Sequence, residues 1–414
     1  MTKNDALPLK TAGGVLLNPE EEKGNEVSRQ PEEQNAYRDP AQSCRPYQDP
    51  AKPYLRDSWQ PYGPYQNPAQ PGWPEFPPEQ QRKGARRRLR RAGNRASLMP
   101  ILVTVFQFVA AILVFAVWAR LNSGTLQPVF RAGGLSGLAK YIMAQKNTLI
   151  FLSILSVILA MVISVLVARP MLRQKIFGAW KRPSWTGSGF AKRLVLLFGV
   201  AGVAELLVLG LDSLCRATGW KLSAPDVSLS GNPASNAVLI AYVCVLAPLL
   251  EETLFRGMIL GSLRPWGDRF AVVVSALMFG LTHMNLYQGV PAFLLGLLLG
   301  FTAVKFGSVV PTVLMHILYN SLSMTMLAAG METNQALQTG YVFFLALAAA
   351  GSIVLLVRRR VDFGGAAPQT SPSAPAEEHP YRVALFQSPA FWVLLVCFAL
   401  LSVVAAGALV SPSV

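Results

Sequence analysis

Three polar patterns interrupt an otherwise apolar stretch of this chain, and each combines residue types that can do hydrolytic chemistry. The first is "EETLFR", in which Glu251 and Glu252 are adjacent and Arg256 follows. On a helix, Glu252 and Arg256 stack one turn apart and can pair, while Glu251 points about 100° around the axis with no partner in its own segment. The second, "FGLTH", places Phe279 and His283 four apart, and the third, "HILYN", does the same for His316 and Asn320. A neutral imidazole donates from one nitrogen and accepts at the other, so a bond to one fixes the role of the other. Asn320 could supply such a bond or hold substrate backbone. Amide hydrolysis needs a base for the attacking water and donors aimed at the developing oxyanion, and these residues could furnish both. His283, His316 and Glu251 could equally hold a zinc ion. Arg256 weighs against that use, because a cation beside Glu252 repels a metal.

The surroundings make these residues conspicuous. Between residues 98 and 357 there are seven acids and two histidines, and a charge at the centre of a bilayer costs at least about 2.5–3.5 kcal/mol. Counting 1.5 Å per residue from Arg264, Arg269 and Lys305 puts Glu251, His283 and His316 at roughly 20, 21 and 16 Å. The three side chains are therefore expected at similar depth, in one polar site. Pro248 cannot donate to the helical ladder and is expected to free the carbonyl of Cys244, four residues back, for a held water.

The elements that must position this site read as membrane helices. Of 414 residues, 52% are hydrophobic and 14% charged, far below the roughly 25% charged residues of a soluble domain. Apolar runs near 98–119, 148–168, 194–214, 237–260, 270–286, 290–306, 308–328, 341–357 and 389–410 predict an all-α polytopic membrane helix bundle with eight to nine spans, each needing roughly 20 residues. Residues 1–97 hold 14 of the 30 prolines and the loose repeat "YRDPAQ", "YQDPAK", "YQNPAQ", so a disordered tail is expected, serving as a tether or a docking site for a Pro-binding partner. It ends in a basic block, 82–95, with eight Lys or Arg and no acid. Because a hydrophobic span follows at once, that block reads as an anchor beside anionic lipid rather than a nucleic-acid site. The bias of basic residues predicts a cytoplasmic amino terminus. The expected divisions are 1–97 (tail), 98–193 (two spans and an inner loop), 194–360 (core), 361–388 (flexible linker) and 389–414 (last helix). The four scattered cysteines indicate neither a disulfide framework nor a cysteine metal site.

The three motifs, in this order and each in an apolar span, resemble the CAAX-protease and bacteriocin-processing (Abi) family, whose pattern is EExxxR, FxxxH, then HxxxN or HxxxD. The resemblance covers roughly residues 194–328. It implies a helical intramembrane endopeptidase in which Glu251 activates water with His283. His316 and Asn320 would then stabilise the oxyanion or hold the water, Glu252 and Arg256 would brace the site, and Phe279 would contact substrate. Neither HExxH nor a GxSxG in a span is present, so the usual zinc helix and the nucleophile elbow are both missing. The expected activity is cleavage of a membrane-associated peptide or protein in a multi-pass, prokaryotic-type membrane, without metal or with a divalent ion such as zinc. The alternatives are an ion- or proton-coupled transporter and a catalytically idle scaffold.

On this reading the tail is dispensable for chemistry. Deleting residues 1–80 while keeping 82–95 leaves cleavage of a soluble model peptide unchanged; a loss of cleavage would show that the tail does more than tether.

Overall fold

The computed structural model describes residues 78–222, 229–331, 333–363 and 385–407, and every described element is helical. The expected tail over 1–77 and linker over 364–384 lie outside the described residues. Helix α1 (Pro78–Leu121) is followed by α2 (Ser123–Ala144), α3 (Lys146–Leu172), α4 (Gly187–Ala217) and α5 (Pro233–Trp266). Then come α6 (Asp268–Thr282), α7 (Leu286–Phe306), α8 (Val310–Ala328), α9 (Gln335–Val357) and α10 (Pro389–Gly407). Seven of these, α1, α3, α4, α5, α7, α9 and α10, are long and apolar enough to cross a membrane. The protein is an integral, multi-pass membrane protein.

Two expected spans differ in kind. Helix α6 has 15 residues, about 22 Å, against roughly 30 Å of hydrocarbon. Helix α8 has 19 residues, but His316, Asn320 and five hydroxyl side chains make it too polar to stand as an apolar span. These two short or polar helices carry two of the three motifs. The other differences lie near the amino-terminal end. The basic block belongs to α1 rather than to the tail, since proline is well placed at a helix start and arginine is a good helix former. Residues 120–147, expected as a loop, contain α2, which is kinked at Gly134 (φ 56°) and buries no residue. The boundary expected between residues 193 and 194 falls inside α4.

Local chemistry sets the helix limits. Asn232 accepts from the N–H groups of Ala234 and Ser235 at the start of α5, and Asn285 from that of Gln288 at the start of α7. Asn334 caps α9 in the same way, which are the bonds that free helix-end donors require. Gly307, at φ 65°, ends α7 in a left-handed turn that glycine adopts without strain. The cap of α10 comes from another helix: Asn94 Oδ1, on α1, accepts from Ala390 N at 3.1 Å and from the Ser388 hydroxyl at 3.0 Å.

The helices pack around α5. One apolar core joins α1, α3, α5, α6, α7 and α10 through residues such as Met99, Val165, Phe255, Met278 and Leu394. A second joins α4, α7, α8 and α9 through Leu197, Leu299, Met315 and Leu345. Helix α7 serves both, and its contact with α6 depends on glycine. A methyl group on Gly280 would stand 2.7 Å from the Gly289 carbonyl oxygen, and one on Gly300 2.8 Å from a Val272 methyl. In a bilayer, where lipid is as apolar as leucine, close backbone approach of this kind is a main source of helix association.

The α6–α7 contact is therefore the place where added volume is least tolerated. Gly280→Ala is expected to lower stability by about 1–3 kcal/mol through overpacking, read as thermal unfolding in detergent. Gly210→Ala, on α4 with open space around it, leaves the midpoint unchanged or slightly higher. Equal behaviour of the two variants would refute the close-packing account.

Candidate active site

The site begins with an irregularity of α5 that its sequence does not advertise. The helix contains two π-turns, Tyr242–Leu246 and Thr253–Ile259, with Glu251 and Glu252 in the short α-helical stretch between them. In the first turn Ala247 N–H bonds to Tyr242 O, five residues back. That register makes residue 248 the partner of the Val243 carbonyl, and residue 248 is proline, which has no N–H. The freed acceptor is thus Val243, one residue before the expected Cys244. It is filled by Asn320 Nδ2 from α8, at 2.8 Å, rather than by a held water. Asn320 does not bond the imidazole of its own helix; it ties α8 to α5. Its second amide N–H remains available.

Four residues on from Glu252 stands Arg256, and the pair forms as the spacing predicts. Arg256 Nη1 lies 2.8 Å from Glu252 Oε1, with both side chains wholly buried. Burying an ion pair without further partners is unfavourable; Glu252 Oε2 and Arg256 Nε and Nη2 have no hydrogen-bond partner among the described residues, and two neighbours compensate in part. The Arg256 guanidinium carbon sits 4.3 Å above the Phe279 ring centroid, a cation–π contact. Glu252 Oε1 also faces His316 Nδ1 at 3.1 Å. A carboxylate held by an arginine can only accept there, so Nδ1 carries the hydrogen and Nε2 points onward. That Nε2 lies 3.8 Å from Glu251 Oε2, too long for a direct hydrogen bond. The chain of contacts runs Arg256, Glu252, His316, Glu251, from the interior towards the surface, and the Glu251 side chain is 24% exposed.

His283 joins this group through Phe279. Its Nδ1 lies 2.9 Å from the Phe279 carbonyl oxygen; a carbonyl only accepts, so Nδ1 is the donor and Nε2 is left with a lone pair. The Phe279 ring meets His283 edge-on at 5.1 Å, His316 at 5.9 Å and Phe255 at 5.0 Å between centroids. Phe279, expected to contact substrate, is 3% exposed, with Arg256 over its ring and Phe255, His283 and His316 packed against it. It is the packing centre on which the site is assembled.

The structure thus gathers Glu251, Glu252, Arg256 and His316 by direct contact, His283 by way of Phe279, and Asn320 by its tie to α5. Among the described residues, however, no three His, Cys, Asp or Glu side chains are grouped as a metal-binding set. Glu252 Oε1 is shared by Arg256 and His316, and His283 Nδ1 is committed to a backbone carbonyl. The expected trio of His283, His316 and Glu251 is not drawn together as such a set, although each histidine, bonded through Nδ1, keeps its Nε2 lone pair uncommitted.

Sequence reasoning missed two supports. Trp180, in the connection between α3 and α4, donates its indole N–H to Thr253 Oγ1 at 3.1 Å, and Thr253 in turn donates to Leu249 O at 2.7 Å. These bonds hold the junction between Glu252 and the second π-turn. Gly296 of α7 is the other: a methyl group there would stand 3.1 Å from Arg256 Nη2. A tryptophan in a basic loop and a glycine in an apolar helix carry no distinctive spacing.

Residues 233–322 match the family model described as type II CAAX prenyl endopeptidase, Rce1-like. The match runs from the start of α5 into α8 and contains all three motifs. It supports, over that segment, the resemblance to the CAAX-protease family drawn from the motifs. No curated protein and no solved structure matches the chain.

The account of Val243 is open to a direct test. Asn320→Ala leaves a buried carbonyl unsatisfied and is expected to cost about 1–3 kcal/mol. Adding Pro248→Ala returns an N–H to that carbonyl and recovers most of the loss, measured by thermal unfolding. Equal destabilisation by Asn320→Ala in both backgrounds would sink the explanation.

Proposed function

We propose that the chain is an intramembrane endopeptidase that hydrolyses a peptide bond in a membrane-associated peptide or protein, with Glu251 as general base. The observation supporting it is the relay from Arg256 through Glu252 and His316 to a half-exposed Glu251, inside a segment similar to an endopeptidase family. Glu251 takes a proton from water as the oxygen attacks the scissile carbonyl carbon. His283 accepts the second water hydrogen at Nε2 and so orients the nucleophile. The spare N–H of Asn320 stands by for the oxyanion, and the His316 ring can join it only by taking a proton at Nε2. When the tetrahedral intermediate collapses, the proton held by Glu251 passes to the departing nitrogen.

Glu252 and Arg256 do not touch the reacting atoms in this scheme. They fix the His316 ring and leave Glu251 as the carboxylate not engaged by a guanidinium. The reading needs no metal, because Glu251 itself supplies the base for the attacking water. The basic end of α1 is assigned to the cytoplasmic side by the positive-inside rule.

Glutamine substitutions separate the two carboxylates. Glu251→Gln abolishes turnover while the unfolding midpoint stays within a degree or two of the parent. Glu252→Gln lowers both, by about 3–5 kcal/mol in stability, since it strands a buried guanidinium; Glu252→Gln with Arg256→Met regains part of that stability. Full turnover by purified Glu251→Gln would show that another group is the base. Elemental analysis with chelation is the companion test. Activity that persists in metal-free protein is expected, and stoichiometric zinc whose removal and return switch activity off and on would make His283 and His316 ligands.

A further inference from the structure

Six acidic side chains are described between residues 83 and 407, and five of them face a basic partner. Glu252 pairs with Arg256, Asp212 with Arg216, Asp268 with Arg264, Asp362 with Lys305, and Glu251 lies 3.8 Å from His316. Glu205 is the exception. It sits in the middle of α4, half-buried in an apolar span, and has neither hydrogen bond nor ion pair among the described residues. An acid retained inside a membrane without a partner is by default a functional feature.

Its surroundings come from two further helices. Helices α4 and α9 run antiparallel in close contact. A methyl group on Gly199 would meet Ser352 and Ala348, and one on Gly202 would meet Leu345 at 3.3 Å. One more turn along each helix brings Glu205 level with Tyr341. Tyr319 and Tyr341 both pack against the second apolar core, which α4 lines with Leu197 and Ala201, two turns and one turn before Glu205, and the Glu205 charge is felt by both hydroxyls. Tyr319 belongs to α8 and follows His316 by three residues, about 4.5 Å along the axis. Neither tyrosine hydroxyl has a hydrogen bond among the described residues. A carboxylate beside two aromatic rings with unbonded hydroxyls is suited to an ammonium or guanidinium group, which gains charge pairing, hydrogen bonds and ring contact together.

We infer that Glu205, Tyr319 and Tyr341 form a subsite that receives a lysine or arginine side chain of the peptide substrate, one helical turn from His316. The inference rests on the proteolytic reading for the word substrate. It extends that reading to a preference: an otherwise apolar segment with one basic residue close to the scissile bond. Tyr319 is an interior position of the third motif, whereas Glu205 and Tyr341 fall outside the family match over 233–322.

The test measures binding, so that it does not depend on turnover. Full-length protein carrying Glu251→Gln is reconstituted in lipid nanodiscs. It is titrated with apolar decapeptides in which a single lysine, or norleucine as its uncharged match, is moved through each position. At one position the lysine peptide is expected to bind at least tenfold more tightly than its match. Adding Glu205→Gln, which preserves shape, removes that difference, Tyr341→Phe reduces it, and Glu205→Lys reverses it in favour of a glutamate peptide. Equal affinity for lysine and norleucine peptides at every position overturns the subsite, as does a lysine preference that survives Glu205→Gln. Protein that cuts norleucine peptides as readily as lysine peptides would retire the subsite and leave the proteolytic reading intact. Selective, Glu205-dependent binding without cleavage by the unmutated chain would do the reverse.

Discussion

A buried ion pair governs this molecule. Glu252 and Arg256 have no exposure at all, and taking two charges out of water is compensated only when every neighbour cooperates. The aromatic face of Phe279 lies under the guanidinium, the imidazole of His316 donates to the carboxylate, and Gly296 leaves room for Nη2. Those three neighbours come from α6, α8 and α7. The pair therefore dictates where three other helices must stand, and the close glycine contacts between α6 and α7 follow from that demand. It also makes the two adjacent glutamates chemically unlike. One is spent on structure in the interior, and the other looks out from the same helix with only an imidazole near it.

Much of this was legible from spacing alone, because an α-helix converts a separation of four into a contact. Glu252 with Arg256, and Phe279 with His283, could be paired on paper for that reason. The gathering of Glu251 and His316 was anticipated from the depth of each along its helix. What spacing cannot convey is a change of helical register. The π-turn at Tyr242–Leu246 moves the orphan carbonyl from Cys244 to Val243, and no residue type announces it. Its maintenance depends on Asn320, 77 residues away, so the information is tertiary. The enclosure of Phe279 was hidden for a related reason. An aromatic next to a functional histidine looks alike in sequence whether it faces a ligand or is enclosed by the site itself.

The same limit explains the membrane boundaries. Hydropathy locates helices that lipid would accept unaided, and α1, α3 and α9 were located well. It overrates α6 and α8, which are short or polar and are sheltered by α5 and α7. Helices this short or polar have to be kept away from lipid, and the strongly apolar helices around them do so. The motif-bearing part of the chain is thus its least lipophilic, and the chain outside the family match contributes much of the casing.

The cap that Asn94 provides for α10 makes the two ends of the described chain mutually dependent in time as well as in space. A helix start needs acceptors for its free N–H groups, and α10 finds one on α1, 296 residues earlier. While the polypeptide emerges from the ribosome, α1 is made well before α10. Asn94 must therefore wait for this bond through the synthesis of every helix from α2 to α9. Closure of the bundle on that side follows the making of α10, and until then both the asparagine and the flank of α1 that α10 covers stay open to the bilayer.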